Sequence, residues 1–322
     1  MRNILFLATF ATLISCGEST MNTDQITYPN SRVVDQIDTL WGIDVHDPYR
    51  WLEDDRSPEV EKWVEGQNEV TRKYLDAIPL RVELRDRYEQ LFNYEKVGMP
   101  RVIGGRYFFS KNDGLQNQSI VYVRESLYGE EKVYLDPNKL SENGTVTAQL
   151  SGASKDGKYV VVIRNETGSD WQQLRVLDVE TGEEIGDVLD WVKFSGASWL
   201  GNGFFYSRYP SPDGSEFSTE NIFHSVYYHR VGTDQSEDKL VFKNEDEPNR
   251  YHFVGVSEDE KFLILNTSTG TDGNSIHVKK ADSDASWLEV VGGFEHRSSI
   301  VDVVDGTIYL LTDFDAPKYR LV

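Results

Sequence analysis

Few residues in this chain have the type and spacing that chemistry requires. Six histidines are present, His46, His224, His229, His252, His277 and His296, and no two of them pair at the spacing of a zinc site. His224 and His229 fall in an expected strand and loop, which points to packing or surface roles. The single cysteine, Cys16, can form no disulfide within the chain and completes no metal set. No G-x-S-x-G string occurs, so the chain carries no nucleophile elbow. A phosphate loop and a G-x-G-x-x-G turn are also missing. Acidic runs such as Glu245-Asp246-Glu247 read as solvated turns. No reaction is expected from residues 1–322 alone, and no metal or organic cofactor.

Charge narrows the partners. A formal net charge of -21 repels phosphate backbones and anionic lipid, so nucleic acid is not an expected partner. With 39% hydrophobic and 12% aromatic residues the composition is that of a globular chain, and the rings suit pleated β surfaces.

The elements that could position a site begin after a leader. Arg2 is followed by an apolar run from Ile4 to Ile14, shorter than the ~20 residues a membrane span needs. Its end, Leu13-Ile14-Ser15-Cys16-Gly17, resembles the lipobox of bacterial lipoproteins, in which the cysteine becomes the lipidated amino terminus. Residues 1–16 are therefore expected to be a signal peptide and 17–27 a polar tether. The protein is expected to be exported and periplasmic or membrane-anchored, touching the membrane only through a lipid on Cys16. An ordinary signal peptide that happens to contain a cysteine is the other reading.

Ser57-Pro58-Glu59 is a helix start: serine accepts from the free amides, proline fits the first position, and glutamate complements the dipole. Val60, Trp63, Val64, Val70, Tyr74 and Leu75 follow a helical stripe that stops at Pro79. Leu84, Tyr88, Leu91 and Phe92 predict a second short helix. Ordinary core packing accounts for both stripes.

From about Glu95 the pattern changes to short apolar runs, each preceded by a Gly, Asp or Asn turn. The runs are Arg106-Tyr107-Phe108-Phe109, Tyr159-Val160-Val161-Val162, Gly203-Phe204-Phe205-Tyr206, Phe262-Leu263-Ile264-Leu265 and Thr307-Ile308-Tyr309-Leu310-Leu311. Corresponding turn residues Gly105, Gly157, Gly203, Glu260 and Gly306 are 52, 46, 57 and 46 residues apart. A period of about 50 suits four-stranded propeller blades better than a plain β-sandwich, which has no reason to regroup its strands regularly. Each run is expected to be a strand buried on both faces. Four complete units and the start of a fifth are present, so the ring is expected to be incomplete and to expose a sheet edge.

Several strings go beyond this repeat: Asp47-Pro48-Tyr49-Arg50-Trp51-Leu52-Glu53-Asp54, Gly114-Leu115-Gln116-Asn117-Gln118, Leu135-Asp136-Pro137-Asn138, Gly168-Ser169-Asp170-Trp171, and Gly232-Thr233-Asp234-Gln235-Ser236-Glu237-Asp238. In this order they resemble the amino-terminal half of the prolyl oligopeptidase family. The resemblance implies a mainly β chain, an incomplete seven-bladed β-propeller of about four and a half blades over residues 94–322. Residues 28–93 would be a helical segment of an α/β-hydrolase domain missing from this chain. It implies a monomeric serine endopeptidase that cleaves short proline-containing peptides after proline, with the propeller as size filter. The triad would lie beyond Val322. Phe194, in Val192-Lys193-Phe194-Ser195, matches the propeller aromatic that lines the subsite two residues before the proline, although a core phenylalanine in a blade strand would read the same. Val241 falls where some members carry a cysteine near that subsite. A non-catalytic lipoprotein propeller that binds peptides or a protein partner is the competing function.

Overall fold

The computed structural model describes residues 26–166, 168–214, 216–217 and 219–322; the leader with Cys16 lies outside them. By its contacts the chain divides into two units between Arg85 and Asp86.

In the first unit, β1 (Ile37–Leu40) and β2 (Ile43–His46) form an antiparallel hairpin. Trp41 and Gly42 make its two-residue turn at φ 51° and 80°, the left-handed pair that matches the twist of the strands. The Asp47–Asp54 string then folds on its own charges. Asp47 Oδ1 accepts from the Tyr49 amide at 3.1 Å, and Arg50 pairs with Asp47, Glu53 and Asp38. Helix α1 (Pro58–Asp76) starts where expected, with the Ser57 hydroxyl accepting from the Glu59 amide. Trp51 Nε1 donates to the Arg32 carbonyl and Trp63 Nε1 to Ser31 Oγ, both at 2.8 Å. The second helix, α2 (Arg81–Phe92), crosses the division between the units.

The expected burial of the helical stripes is not met. Val60 is the one buried residue in α1 and α2 has none. Val64, Tyr74, Leu84, Tyr88, Leu91 and Phe92 are exposed. The spacing foretold the helices but not what covers them.

The second unit is a succession of small antiparallel sheets. The first holds β3 (Lys96–Val97), β4 (Arg101–Ile103), β5 (Arg106–Asn112), β6 (Ile120–Arg124) and β7 (Lys132–Leu135), with β3 and β4 sharing one edge of β5. The second runs through β8 (Thr147–Ala153), β9 (Tyr159–Asn165), β10 (Gln172–Asp178) and β11 (Glu184–Val192) in sequence order. The third is β12 (Ser198–Leu200), β13 (Gly203–Arg208), β14 (Ser225–Arg230) and β15 (Lys239–Phe242). The fourth is β16 (Tyr251–Val256), β17 (Phe262–Ser268), β18 (Asn274–Lys280) and β19 (Leu288–Val291), and a three-stranded sheet of β20 (Ser298–Val304), β21 (Thr307–Thr312) and β22 (Arg320–Leu321) follows. These are blades of a propeller: apart from β3, which pairs with β5, each strand pairs with a sequence neighbour, and among the first four sheets each shares a core with the next. The ends of β4, β8, β12 and β16 border one cavity of about 490 Å³, spanned by the Lys155 ammonium, which donates to the Glu258 carbonyl at 2.7 Å.

The apolar repeat of the sequence is the second strand of every blade, β5, β9, β13, β17 and β21. Successive side chains point to opposite faces, so one continuous run feeds two cores. Val160 and Val162 pack with Phe108 and Val123 of the first blade. Val161 and Ile163 pack with Trp199, Phe204 and Tyr206 of the third, and Phe205 turns the other way, toward Val254, Leu263 and Leu265 of the fourth. In β21 the alternation becomes exposed and covered, with Thr307, Tyr309 and Leu311 exposed.

The turns repeat as chemistry too. Ser154 Oγ donates to Asp156 at 2.7 Å and accepts from the Tyr159 amide, and Ser257 Oγ does the same with Asp259 and Phe262. These bonds hold both carboxyls below the usual carboxylate range, the serine hydroxyl being the main cause. Gly157 has φ 68° and a β-carbon there would stand 2.2 Å from the Gly104 α-carbon. Gly157→Ala should cost about 2–4 kcal/mol, from the left-handed backbone together with a backbone clash between blades. Urea unfolding checks this, with Gly201→Ala, which meets no atom within 4 Å, as the control for backbone conformation alone.

Candidate functional site

Phe194 sits neither in a strand nor in the core. It is 54% exposed, in the turn from β11, the outermost strand of the second blade, to β12, the innermost of the third. Trp191 and Phe194 both hold left-handed φ, 60° and 54°, which bulky side chains adopt only when their surroundings impose it. The Tyr209 amide donates to the Trp191 carbonyl at 2.9 Å, the Ser207 amide to Ser195 Oγ at 2.8 Å, and the Ser195 amide to Gln172 Oε1 at 3.4 Å. The turn therefore aims a large ring outward. Its edge meets Tyr251 at the start of β16, with centroids 6.2 Å apart and planes at 76°.

The residues that flank and hold the turn form a second aromatic group. Trp171 meets Trp191 and Tyr209 edge-on at 5.5 and 6.2 Å. The Lys193 ammonium stands 4.0 Å over the Trp171 ring, and burial lowers its pKa. His224 and His252 are buried behind the turn, and burial pushes both imidazoles down to about 4.

Val241 is not part of this arrangement. It belongs to β15, the outermost strand of the third blade, and packs on the core between the third and fourth blades. Three strand spacings, about 14 Å, separate β15 from β12, into which the Phe194 turn leads. A cysteine or valine there changes a core, not the Phe194 surface.

Three of the family-like strings also find a structural account. Asn138 donates to the Gln118 carbonyl at 2.9 Å and accepts from the Gln118 amide at 3.0 Å, so Gly114–Gln118 and Leu135–Asn138 are zipped to each other. Gly232–Asp238 wraps a buried histidine. His229 Nδ1 bonds Asp238 at 2.7 Å and its Nε2 bonds Asp187 at 3.0 Å. The Gly232 amide donates to Asp187 at 2.7 Å, and Tyr206 donates its hydroxyl proton to Asp238 at 2.6 Å. Gln235 joins this network to the Asp190 backbone. His229 thus has a packing role, and its partners are carboxylates rather than a metal set; among the described residues no group of three or more His, Cys, Asp or Glu is arranged to hold a metal.

The profile of the prolyl oligopeptidase N-terminal beta-propeller domain matches residues 28–322. The chain belongs to the prolyl oligopeptidase family. It is 40% identical to the prolyl endopeptidase of Elizabethkingia meningoseptica over 306 residues, 94% of this chain and 43% of that protein. Prolyl oligopeptidase A of Amanita bisporigera is 30% identical, with 95% of this chain and 46% of that protein covered. Among solved structures, one from a mechanistic study of two prolyl endopeptidases superposes with a TM-score of 0.80 at 32% identity, covering 92% of this chain and 44% of that one. Prolyl oligopeptidase B of Galerina marginata, bound to a 25-residue macrocyclisation substrate, gives a TM-score of 0.77 at 27% identity, covering 91% and 45%. The chain thus spans less than half the length of the relatives it matches, and the part it matches is the propeller.

Sequence reasoning singled out Phe194 but missed Tyr251 and His224. They lie 57 and 30 residues away in sequence, Tyr251 on β16 and His224 just before β14, and no local spacing connects them to Phe194.

Proposed function

We propose that this chain is the propeller part of a serine endopeptidase that cleaves short peptides after proline. A hydrolase domain would supply the serine, aspartate and histidine; the propeller would narrow entry to unfolded oligopeptides. Phe194, with Tyr251 beside it, would form the aromatic wall that receives the residue two before the proline. The observation that carries this reading is an exposed aromatic held at a left-handed, multiply bonded turn of a prolyl oligopeptidase propeller. A core phenylalanine has no need of such a turn. The exposed apolar stripes of α1 and α2 are in keeping with a covering hydrolase domain. The leader supports export, with Cys16 carrying a lipid and the protein working as a monomer in the periplasm or at the membrane, on peptides rather than nucleic acid. Mass spectrometry of the mature amino terminus tests this: an unmodified terminus beyond Cys16 removes the anchor.

For the activity, residues 28–322 joined to the catalytic part of the Elizabethkingia meningoseptica enzyme should hydrolyse a proline-containing chromogenic peptide, whereas this chain alone should not. In that chimera Phe194→Ala should raise KM about tenfold with kcat little changed, since it removes a contact made equally in ground and transition states. An unchanged KM takes Phe194 out of the substrate site, and a chimera that folds but stays inactive favours a propeller that only binds.

A further inference from the structure

The Phe194 turn is closed by a ring of hydrogen bonds that runs through a buried histidine. Ser195 Oγ accepts from the Ser207 amide at 2.8 Å, and Ser207 Oγ donates to the His252 carbonyl at 2.7 Å. The His252 amide donates to His224 Nδ1 at 3.0 Å, and His224 Nε2 lies 3.3 Å from the Lys193 carbonyl. The backbone from Lys193 through Phe194 to Ser195 completes the circuit.

The first of the two imidazole bonds fixes the second. Nδ1 accepts from an amide and so carries no proton, which puts the ring proton on Nε2, facing a carbonyl that can only accept. Exchanging the tautomer would break both bonds at once, in a site where His224 is 1% exposed. The same ring lies 5.7 Å from Tyr251, the residue that Phe194 stands against, and 4.9 Å from Tyr209 and 5.1 Å from Phe253. One side chain thus meets both halves of the pair, exposed Phe194 and half-buried Tyr251: the carbonyl just before Phe194, and the ring opposite it. The hold is needed because a bulky residue in the left-handed region is strained and relaxes when released.

We propose that His224 is a positioning residue that sets where the Phe194 ring stands relative to Tyr251. It touches no substrate and acts through the Lys193 carbonyl and the Tyr251 ring. Its importance for peptide recognition rests on the reading of Phe194 as a substrate contact; its effect on Phe194 does not. The titratable groups around it are His252 and Tyr251 on β16 and Tyr209 after β13, while Lys193 contributes its carbonyl and sends its ammonium to Trp171.

The test places 4-fluorophenylalanine at position 194 of the 322-residue chain and records its fluorine resonance at neutral pH. One narrow signal is expected from the parent. H224F keeps a ring for the three aromatic neighbours but loses both bonds, and should lose that signal to two or more, moved toward free 4-fluorophenylalanine. H224Q restores an acceptor and a donor at similar reach, and should return one signal near the parental position. A parental spectrum from H224F, or equal displacement in H224F and H224Q, overturns the proposal. Nitrogen NMR of histidine-labelled parent chain needs no variant: the Nε2–H tautomer is expected for His224, and the Nδ1–H tautomer overturns it. Should these results come out as expected while Phe194→Ala leaves KM of the chimera unchanged, the substrate reading falls and the positioning role stands.

Discussion

His229→Leu is expected to cost the second unit about 3–5 kcal/mol, the penalty for leaving buried charges without their partner. His229 is fully buried, and the side chains that flank it, Asp187 and Asp238, are 5% and 0% exposed. Leucine replaces the ring's contact with Phe204, 5.3 Å away, but gives neither carboxylate a donor. What remains for Asp187 is the Gly232 amide, and for Asp238 the Tyr206 hydroxyl. Asp187 lies on β11 and His229 on β14, so the loss also loosens the second blade from the third. Urea unfolding of the parent and the variant at pH 7 measures the difference, and a loss under 1 kcal/mol would mean that the carboxylates find other partners. The pH dependence has a definite sign. Burial by itself would lower the His229 pKa, but the bonds to Asp238 and Asp187 outweigh it and the pKa is raised. The contribution is therefore complete below the unfolded value of ~6.5 and fades as pH rises through the higher folded value. The gap between parent and variant should shrink on the alkaline side.

Acid should act through the other two buried histidines. Burial is the main cause that brings His224 and His252 down to about 4, and for His252 the neighbouring His224 and Arg250 add to it. The unfolded chain takes up protons near pH 6.5 that the folded one refuses until about pH 4. Stability should therefore fall as pH drops through that window, by about 3 kcal/mol for each histidine, and show no further loss from these groups below it. His229 contributes nothing to this slope, since it is protonated in both states there. H224Q does not titrate and should remove roughly half of the fall. Urea midpoints at pH 7, 5.5 and 4 decide it, and equal slopes in parent and H224Q would show that His224 takes up its proton at the same pH in the folded and unfolded chains.

The two pH trends bear on the same region. The His224 ring, with its lowered pKa, supports the Phe194 turn, and the His229 ring, with its raised pKa, ties the second and third blades together. The two pKa values are shifted in opposite directions, although the residues stand five apart, His224 just before β14 and His229 near its end. Burial is common to both; the difference is that His229 has two carboxylates within 3.0 Å, whereas His224 has a backbone amide and a carbonyl. Both were equally plain in the sequence as histidines without a metal partner.

The local rules carried far in this protein. Ser57-Pro58-Glu59 determined the start of α1, because capping needs only neighbouring atoms. The runs after Gly105, Gly157, Gly203, Glu260 and Gly306 determined the second strand of each blade, because a continuous apolar run after a turn suits a strand between two covering layers, although in β21 one side is left exposed. Their spacing of about 50 residues determined that the sheets are blades, and the ordered strings named the family. The sequence also isolated Phe194, but could not separate a wall of a binding surface from a residue of a core. That distinction belonged to the tertiary structure. A phenylalanine is the same letter in both settings, and its exposure depends on Gln172, Ser207, His224 and Tyr251, which meet the turn only once the second, third and fourth blades have packed. The same holds for His224 and His229, whose opposite pKa shifts come from burial and from partners that chain folding, and not chain order, brings within hydrogen-bond distance.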